Sequence, residues 1–331
     1  MSVPTPRLVA TRFLASTVAL LAAIPAGVLA QAFPSKPITV VIPAAPGSSQ
    51  DVQIRLYSPK LTESLKQTIV VDYKAGAGGA IGTAFVAKSP PDGYTLVSVS
   101  TSFGVLPAFF PNNPPYDPVK DFAPVSLMIR NSTLLLASPA LPVNNFQEYI
   151  AYAKANPGAI NMGTSGSGGI FHVIGAWLHS LTNTKVTFIH YKGSGPMYPD
   201  MIAGRLHAAV SIALVGLPYV KSGKLKAIAN LGVERTAAVP DLKTVAEQGL
   251  PEFEYPSWSG FLAPARTPEA IVNRLSAEFS KVAKDPALIK RFEAEHTALI
   301  GSTPAEFRKT IEVEAVRWRK VVQENNIKLE E

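Results

Sequence analysis

The stretch Ile38-Thr39-Val40-Val41-Ile42-Pro43-Ala44-Ala45-Pro46-Gly47-Ser48-Ser49-Gln50-Asp51-Val52-Gln53-Ile54-Arg55-Leu56 decides the fold. Its apolar, β-branched run over residues 38–42 has the length of a buried strand and stops at Pro43. A small, glycine-containing loop follows, and then a pattern of helical period. A strand, a loop without a cationic side chain and a helix start leave backbone N–H groups aimed above the strand's end, which suits an anion. The stretch reads as the first half of a carboxylate clamp. Taken alone, it also fits an ordinary strand-to-helix turn of an α/β domain.

Working outward, the helix should run to about Leu65 with Ile54, Leu61 and Leu65 on its inner face, and Pro59 should bend it or mark its first turn. Ile69-Val70-Val71 is the next strand. The loop Gly76-Ala77-Gly78-Gly79-Ala80-Ile81-Gly82-Thr83 then opens a helix expected over residues 81–88. Its G-x-G-x-x-x-G spacing is one residue longer than the dinucleotide fingerprint and follows the second strand, which argues against a nucleotide. After the turn Pro90-Pro91-Asp92-Gly93, residues 95–100 alternate as a strand that ends in Thr101-Ser102-Phe103-Gly104. Three strands in a row thus empty into small or hydroxyl-rich loops, and a parallel sheet collects such loops at its ligand-binding edge.

A faint internal repeat marks a return of the chain. Residues 134–139 lead through a proline turn to a helix at 146–155 with Asn145 and Glu148 at capping-box spacing; residues 259–264 lead to a helix at 269–284, with Thr267 as cap and Pro268 at the first position. Two matching strands about 125 residues apart suit a chain that leaves one domain and comes back. The hinge is placed there. Short strands and helices alternate between them, which predicts a second sheet covered on both faces. Its first strand empties into Gly163-Thr164-Ser165-Gly166-Ser167-Gly168-Gly169, with His172 in the following turn, a loop chemically like the one at Gly47-Ser48-Ser49. After Pro264 the chain reads as helical. Thr303-Pro304-Ala305-Glu306 starts a last helix whose Phe307, Ile311, Trp318 and Val322 should pack on the first domain.

The 331 residues, 47% apolar, suffice for two cores. Residues 1–30 hold Arg7 and Arg12, no acid, and an apolar run over 13–29 that is short and rich in small residues, ending at small-x-small sites after Ala30 or Ala32. This reads as a cleaved signal peptide of the general secretory route. The absence of cysteine excludes disulfides, thiolate metal sites, Cys nucleophiles and an N-terminal lipid-modified Cys. Losing the two leader arginines takes the formal charge from +7 to +5. With no cluster of Lys and Arg among aromatics, that excess does not argue for nucleic acid.

Catalytic patterns are missing. There is no G-x-S-x-G, H-E-x-x-H, P-loop or histidine pair at ligand spacing. Of five scattered histidines, His172 alone lies in a candidate ligand loop, where it suits a hydrogen-bonding or capping group better than a general base. No cofactor or metal is expected.

Pro37-Ile38 to Asp51, the Gly76 to Thr83 loop, Pro91-Asp92-Gly93-Tyr94-Thr95-Leu96, Tyr116-Asp117-Pro118-Val119-Lys120-Asp121-Phe122-Ala123-Pro124-Val125, Tyr191-Lys192-Gly193-Ser194, Pro240-Asp241-Leu242-Lys243-Thr244-Val245-Ala246-Glu247 and Gly301-Ser302-Thr303-Pro304 resemble the Bug family, the periplasmic solute-binding proteins of tripartite tricarboxylate transporters. The resemblance covers nearly all of the chain after the leader. It implies an α/β, two-domain Venus-flytrap fold, each domain a mostly parallel sheet flanked by helices, with two crossing strands as hinge. The expected domains are 33–131 with 257–331, and 132–256. It further implies a periplasmic location, a small organic acid in the cleft and membrane transporter subunits as partners. Ala45, Gly47, Ser48, Ser49 and Gln50 would face Thr164, Ser165, Ser167 and Gly168 across the ligand, with Gly78, Thr101, Ser102, His172 and Ser211 as further lining residues.

Departures from the family pattern bear on the ligand. This chain has Ala44 where the family commonly has an aromatic residue, and His207 and Ser211 where it commonly has two aspartates. If Ser211 faces the cleft, no carboxylate meets an ammonium group there. The expectation is therefore an acid with an apolar or aromatic body, packed by Phe103 and Phe171, rather than an amino acid. Two other functions fit the same residues. An enzyme acting on a small acid would depend on His172, and a ligand-loaded sensor for a membrane kinase would share the fold.

Overall fold

The computed structural model describes residues 1–2, 33–191, 194–236, 239–253, 255–294 and 296–329. The signal peptide expected over residues 1–30 lies, from residue 3 onward, outside them, as do Lys192 and Gly193 of the Tyr191 block.

Strand β1 (Ile38–Ile42) leads to α1 (Ser49–Leu65), β2 (Ile69–Tyr73), α2 (Ala80–Ala87), β3 (Thr95–Ser100), the short α3 (Ser102–Val105) and the long β4 (Phe122–Asn131). A second series runs β5 (Thr133–Ala137), α4 (Phe146–Ala155), β6 (Asn161–Thr164), α5 (Ile170–Leu181), β7 (Thr187–His190), α6 (Met197–Ile202), β8 (Ala208–Ile212), α7 (Ala213–Lys221) and β9 (Lys226–Asn230). The chain returns through β10 (Ser257–Pro264) to α8 (Glu269–Ala283), α9 (Pro286–Ala294), β11 (Thr297–Leu299) and α10 (Pro304–Glu324).

The strands form two sheets, ordered β11-β4-β10-β3-β1-β2 and β7-β6-β8-β5-β9. Each sheet carries a domain of an α/β fold. They are mixed rather than mostly parallel. β1 pairs in parallel with β2 and β3, but β10 runs antiparallel to β3 and β4. β6 pairs in parallel with β7 and β8, while β5 runs antiparallel to β8 and β9. The physical reason is the crossing itself, because a strand that brings the chain back must run against those that led it out.

These directions place the two loop sets. β4 runs with β3, so β1, β2, β3 and β4 all end at one edge of the first sheet. β5 starts at the edge where β6, β7 and β8 end. Only Ser132 separates β4 from β5, so the crossing joins carboxyl edge to carboxyl edge. The loops after β1, β2 and β3 therefore meet the loops after β6, β7 and β8 across the crossing point.

Side-chain alternation builds the cores. Ile38, Val40 and Ile42 of β1 point into one cluster with Ile54, Leu61 and Leu65 of α1, while Val41 points to the opposite cluster with Val97 and Val99. All of β5 is buried, with Leu134 and Leu136 on one face and Leu135 and Ala137 on the other. A continuous apolar strand is what a sheet covered on both sides requires.

Several local expectations change. Pro59 lies inside α1, not in its first turn. The region after Pro264 is not wholly helical, since Thr297–Leu299 adds β11 to the edge of β4. Thr267 does not cap α8: its hydroxyl donates to the carbonyl of Pro264 at 2.8 Å, and Pro268 takes the cap position. Thr303 does cap α10, with its hydroxyl accepting from the Glu306 amide and Glu306 accepting from the Thr303 amide. Packing of α10 on the first domain extends past its N-terminal half, since a Cβ built on Gly104 would stand 3.3 Å from Trp318, but its C-terminal half serves the second domain as well. Phe307 and Ile311 join first-domain residues, whereas Trp318, Val321 and Val322 join a cluster built largely from the second. At about 1.5 Å per residue, a helix of 21 residues spans roughly 30 Å, enough to serve both.

Candidate functional site

At the first edge, Ser48 caps α1 by accepting the Asp51 amide at 3.4 Å. The first-turn amides of Ser49 and Gln50 have no acceptor among the described residues, as expected at a helix start. Asp51, 3% exposed, holds the loop in shape. Its carboxylate accepts from the Gly47 amide (2.8 Å), Arg55 Nε (2.7 Å) and Tyr73 Oη (2.7 Å). Burial pushes this carboxyl up, but the hydrogen bonds from Gly47, Tyr73 and Arg55 outweigh that and hold it below its ordinary value. The acid is thus already engaged, and Arg55 balances its charge within the helix.

The second glycine loop lies against the first. A Cβ built on Gly79 would stand 3.3 Å from the Pro43 carbonyl oxygen, and one on Gly82 would stand 2.7 Å from that of Lys74. Gly78 takes φ +64 and is exposed, with Leu106 beside it. The 3-10 turn Leu106–Phe109 then reaches the other domain, because Phe109 and Leu329 both border Gly168.

At the second edge, Gly169 caps α5 and the loop is closed from within. Gly168 donates its amide hydrogen to His172 Nδ1 at 3.0 Å, Gly169 donates to the Gly166 carbonyl at 3.3 Å, and Thr164 Oγ1 lies 2.6 Å from His190 Nδ1. His172 is 3% exposed and its ring packs on Phe188 and His190. It shapes the loop as an acceptor.

Other candidate residues divide by where their polar atoms go. Ala45 and Gly47 are exposed, and Ser48, Ser49, Ser102, Ser165 and Ser167 are half-buried. The Gln50 side chain turns inward and donates to the Ser98 carbonyl at 2.8 Å. Thr101 is buried and its hydroxyl accepts the Trp258 amide at 3.1 Å, stitching β3 to β10. Ser211 is 2% exposed, with its hydroxyl 2.7 Å from Tyr198 Oη, so it faces the interior of the second domain. His207 sits at the opposite end of β8, accepting from the Asn161 amide. Phe103 stacks on Tyr116 in the first-domain core, while Phe171 is half-buried against the second cluster. The ground for excluding amino acids, which needed Ser211 in the cleft, therefore falls away.

Cavities of about 240 Å³ beside Lys60 and Asp285, and about 440 Å³ beside Phe146 and Leu250, contain none of these loop residues. Among the described residues no group of three or more His, Asp or Glu could hold a metal, and no helix is long and apolar enough to cross a membrane. Sequence reasoning missed the Asp51–Arg55–Tyr73 network, although an acid and a base four apart at a helix start is a readable signal. It also missed Gln53, Phe109, His190 and Leu329.

Comparison with known proteins adds a family. Residues 54–327 match the family described as "Tripartite tricarboxylate transporter family receptor". The chain is 34% identical to the protein BugT of Bordetella pertussis over 314 residues, 93% of this chain and 95% of that one. Among solved structures it resembles a periplasmic transporter at 38% identity, with a TM-score of 0.83 over 90% of this chain and 100% of that one. It also resembles the R. palustris protein Rpa4515 with adipate (29%, TM-score 0.82, 89% and 99% covered) and MatC from Rhodopseudomonas palustris with bound malate (30%, TM-score 0.80, 88% and 100% covered). The chain accordingly belongs to the tripartite tricarboxylate transporter receptor family, in which BugT is a relative, and which is a family of solute-binding receptors rather than enzymes.

Proposed function

We propose that this protein captures a small carboxylated ligand between its two domains, residues 33–131 with 257–331 and residues 132–256, and delivers it in the periplasm to the membrane subunits of a tripartite tricarboxylate-type transporter. The observation that carries this reading is the pairing of two helix starts, α1 and α5, behind loops without a charged side chain, at sheet edges that the Ser132 crossing turns toward each other. Ala45, Gly47, Ser48, Ser49 and the Gln50 amide form one lip, with Gly78 and Ser102 beside it. Ser165 and Ser167 form the other, backed by Thr164 and Gly168, whose hydroxyl and amide hold the loop in shape. His172 acts through Gly168, and Thr101 and Ser211 support the walls.

Amides and hydroxyls suffice for useful affinity. A charge-assisted hydrogen bond contributes about 1.5–3 kcal/mol, and a helix N-terminus about 0.3–1 kcal/mol. Two or three such contacts with some buried carbon reach the roughly 8 kcal/mol of micromolar binding. The adipate and malate in related structures support a dicarboxylate. A thermal-shift screen of the leader-free protein against mono-, di- and tricarboxylates tests this, because a ligand that binds the native form alone raises its melting temperature. A rise with at least one acid is expected, and no rise with any acid overturns the reading.

A further inference from the structure

Gln53 lies one turn after the Ser48-Ser49 lip, on the buried side of α1, and is 2% exposed. Its two amide atoms go to two different strands. Nε2 donates to Asn131 Oδ1 at 2.9 Å, and Oε1 accepts from Ser259 Oγ at 2.9 Å. Asn131 is the last residue of β4, immediately before the Ser132 crossing. Ser259, 5% exposed, lies near the start of β10, where the chain has just come back. One side chain therefore bolts the outgoing and returning strands together at the point where both leave the first sheet. It does so from the helix whose first turn carries the ligand lip. Gln50, one turn earlier and likewise buried, sends its side-chain amide to the Ser98 carbonyl of β3 instead.

We propose that Gln53 is a positioning residue that couples the ligand-loop helix to both crossing strands and thereby sets the angle between the two domains. The coupling follows from rigidity. A shift of α1 at its first turn is carried through a helix to the Gln53 amide, and the amide cannot move without moving Asn131 and Ser259 or leaving buried polar atoms without partners. Motion at one lip is thus passed to both chain connections that join the described sheets, at Ser132 and at the entry to β10. The inference deepens the reading of a molecule that closes on its ligand and rests on its hinge.

The absence of cysteine makes a direct test simple. Lys281→Cys on α8 and Lys154→Cys on α4, both exposed positions, carry a spin-label pair across the domains in ligand-free protein, and their distance distribution is measured. Gln53→Met, similar in length but without hydrogen bonds, should shift or broaden the distribution by several ångströms. Gln50→Met should lower the melting temperature and leave the distances as they were. Ser259→Ala breaks a single arm and should move the distribution in the same direction by less; it also serves if Gln53→Met does not fold. Distances unchanged in folded Gln53→Met or Ser259→Ala, or changed as much by Gln50→Met, overturn the proposal. Because no ligand is added, failure of every carboxylate to bind would sink the functional reading and leave this comparison intact.

Discussion

His172 Nδ1 accepts the amide hydrogen of Gly168 at 3.0 Å, so this histidine shapes the candidate loop after β6 from behind. A buried acceptor that satisfies one loop amide contributes about 1 kcal/mol. His172→Phe should stay folded and weaken binding of an acid identified by thermal shift about fivefold by calorimetry. Unchanged affinity would show that the loop keeps its shape without the imidazole.

Asp51→Asn removes the charge that Gly47, Tyr73 and Arg55 surround. Loss of charge-assisted bonds at a nearly buried site should cost about 2–3 kcal/mol in urea unfolding. The folded carboxyl lies below its ordinary 3.8, so its stabilising effect is complete above that pH and is lost only as pH falls further through the folded value. Asp51→Asn should therefore differ most from the parent protein at neutral pH and converge with it in strong acid.

His179 supplies a different pH dependence, within the second core. Its Nε2 lies 3.0 Å from Tyr149 Oη and its Nδ1 2.7 Å from Thr184 Oγ1. Burial lowers it from 6.5 to about 4. The unfolded chain takes up the proton first, so stability is whole above pH 6.5 and declines as pH falls toward 4, by about 3 kcal/mol at the limit. Melting temperatures from pH 7 to 4 should fall in the parent protein and fall less in His179→Gln.

Trp318 is fully buried where α10 reaches the second domain, with ring centroids 6.0 Å from Trp177 and 6.1 Å from Tyr255. Trp318→Ala should cost about 3–5 kcal/mol in denaturant unfolding. A loss below about 1 kcal/mol would show that α10 does not hold the second core.

The strand-loop-helix units at Ile38 and Gly163 were legible because the apolar period changes across a small, uncharged loop. The direction of individual hydroxyls was not. Thr101 and Ser211 belong to the right strands and turns, yet their oxygens are taken by Trp258 and Tyr198, contacts 157 and 13 residues away in sequence. β11 was missed because three residues carry too little alternation to register. Gln53 carried no readable signal, since its partners Asn131 and Ser259 lie 78 and 206 residues away in sequence. The reach of α10 into the second core follows from its length, but the apolar face alone does not say where one domain stops.

The central claim is that two uncharged lips hold a carboxylate by amides and hydroxyls. Calorimetric titration of the leader-free protein with malate, adipate and succinate, beside the neutral diamide of each, tests it most directly. Saturable one-to-one binding of at least one acid in the micromolar range, with no heat from its diamide, is the predicted result. Equal binding of acid and diamide, or no saturable binding of any of the three acids, would contradict it.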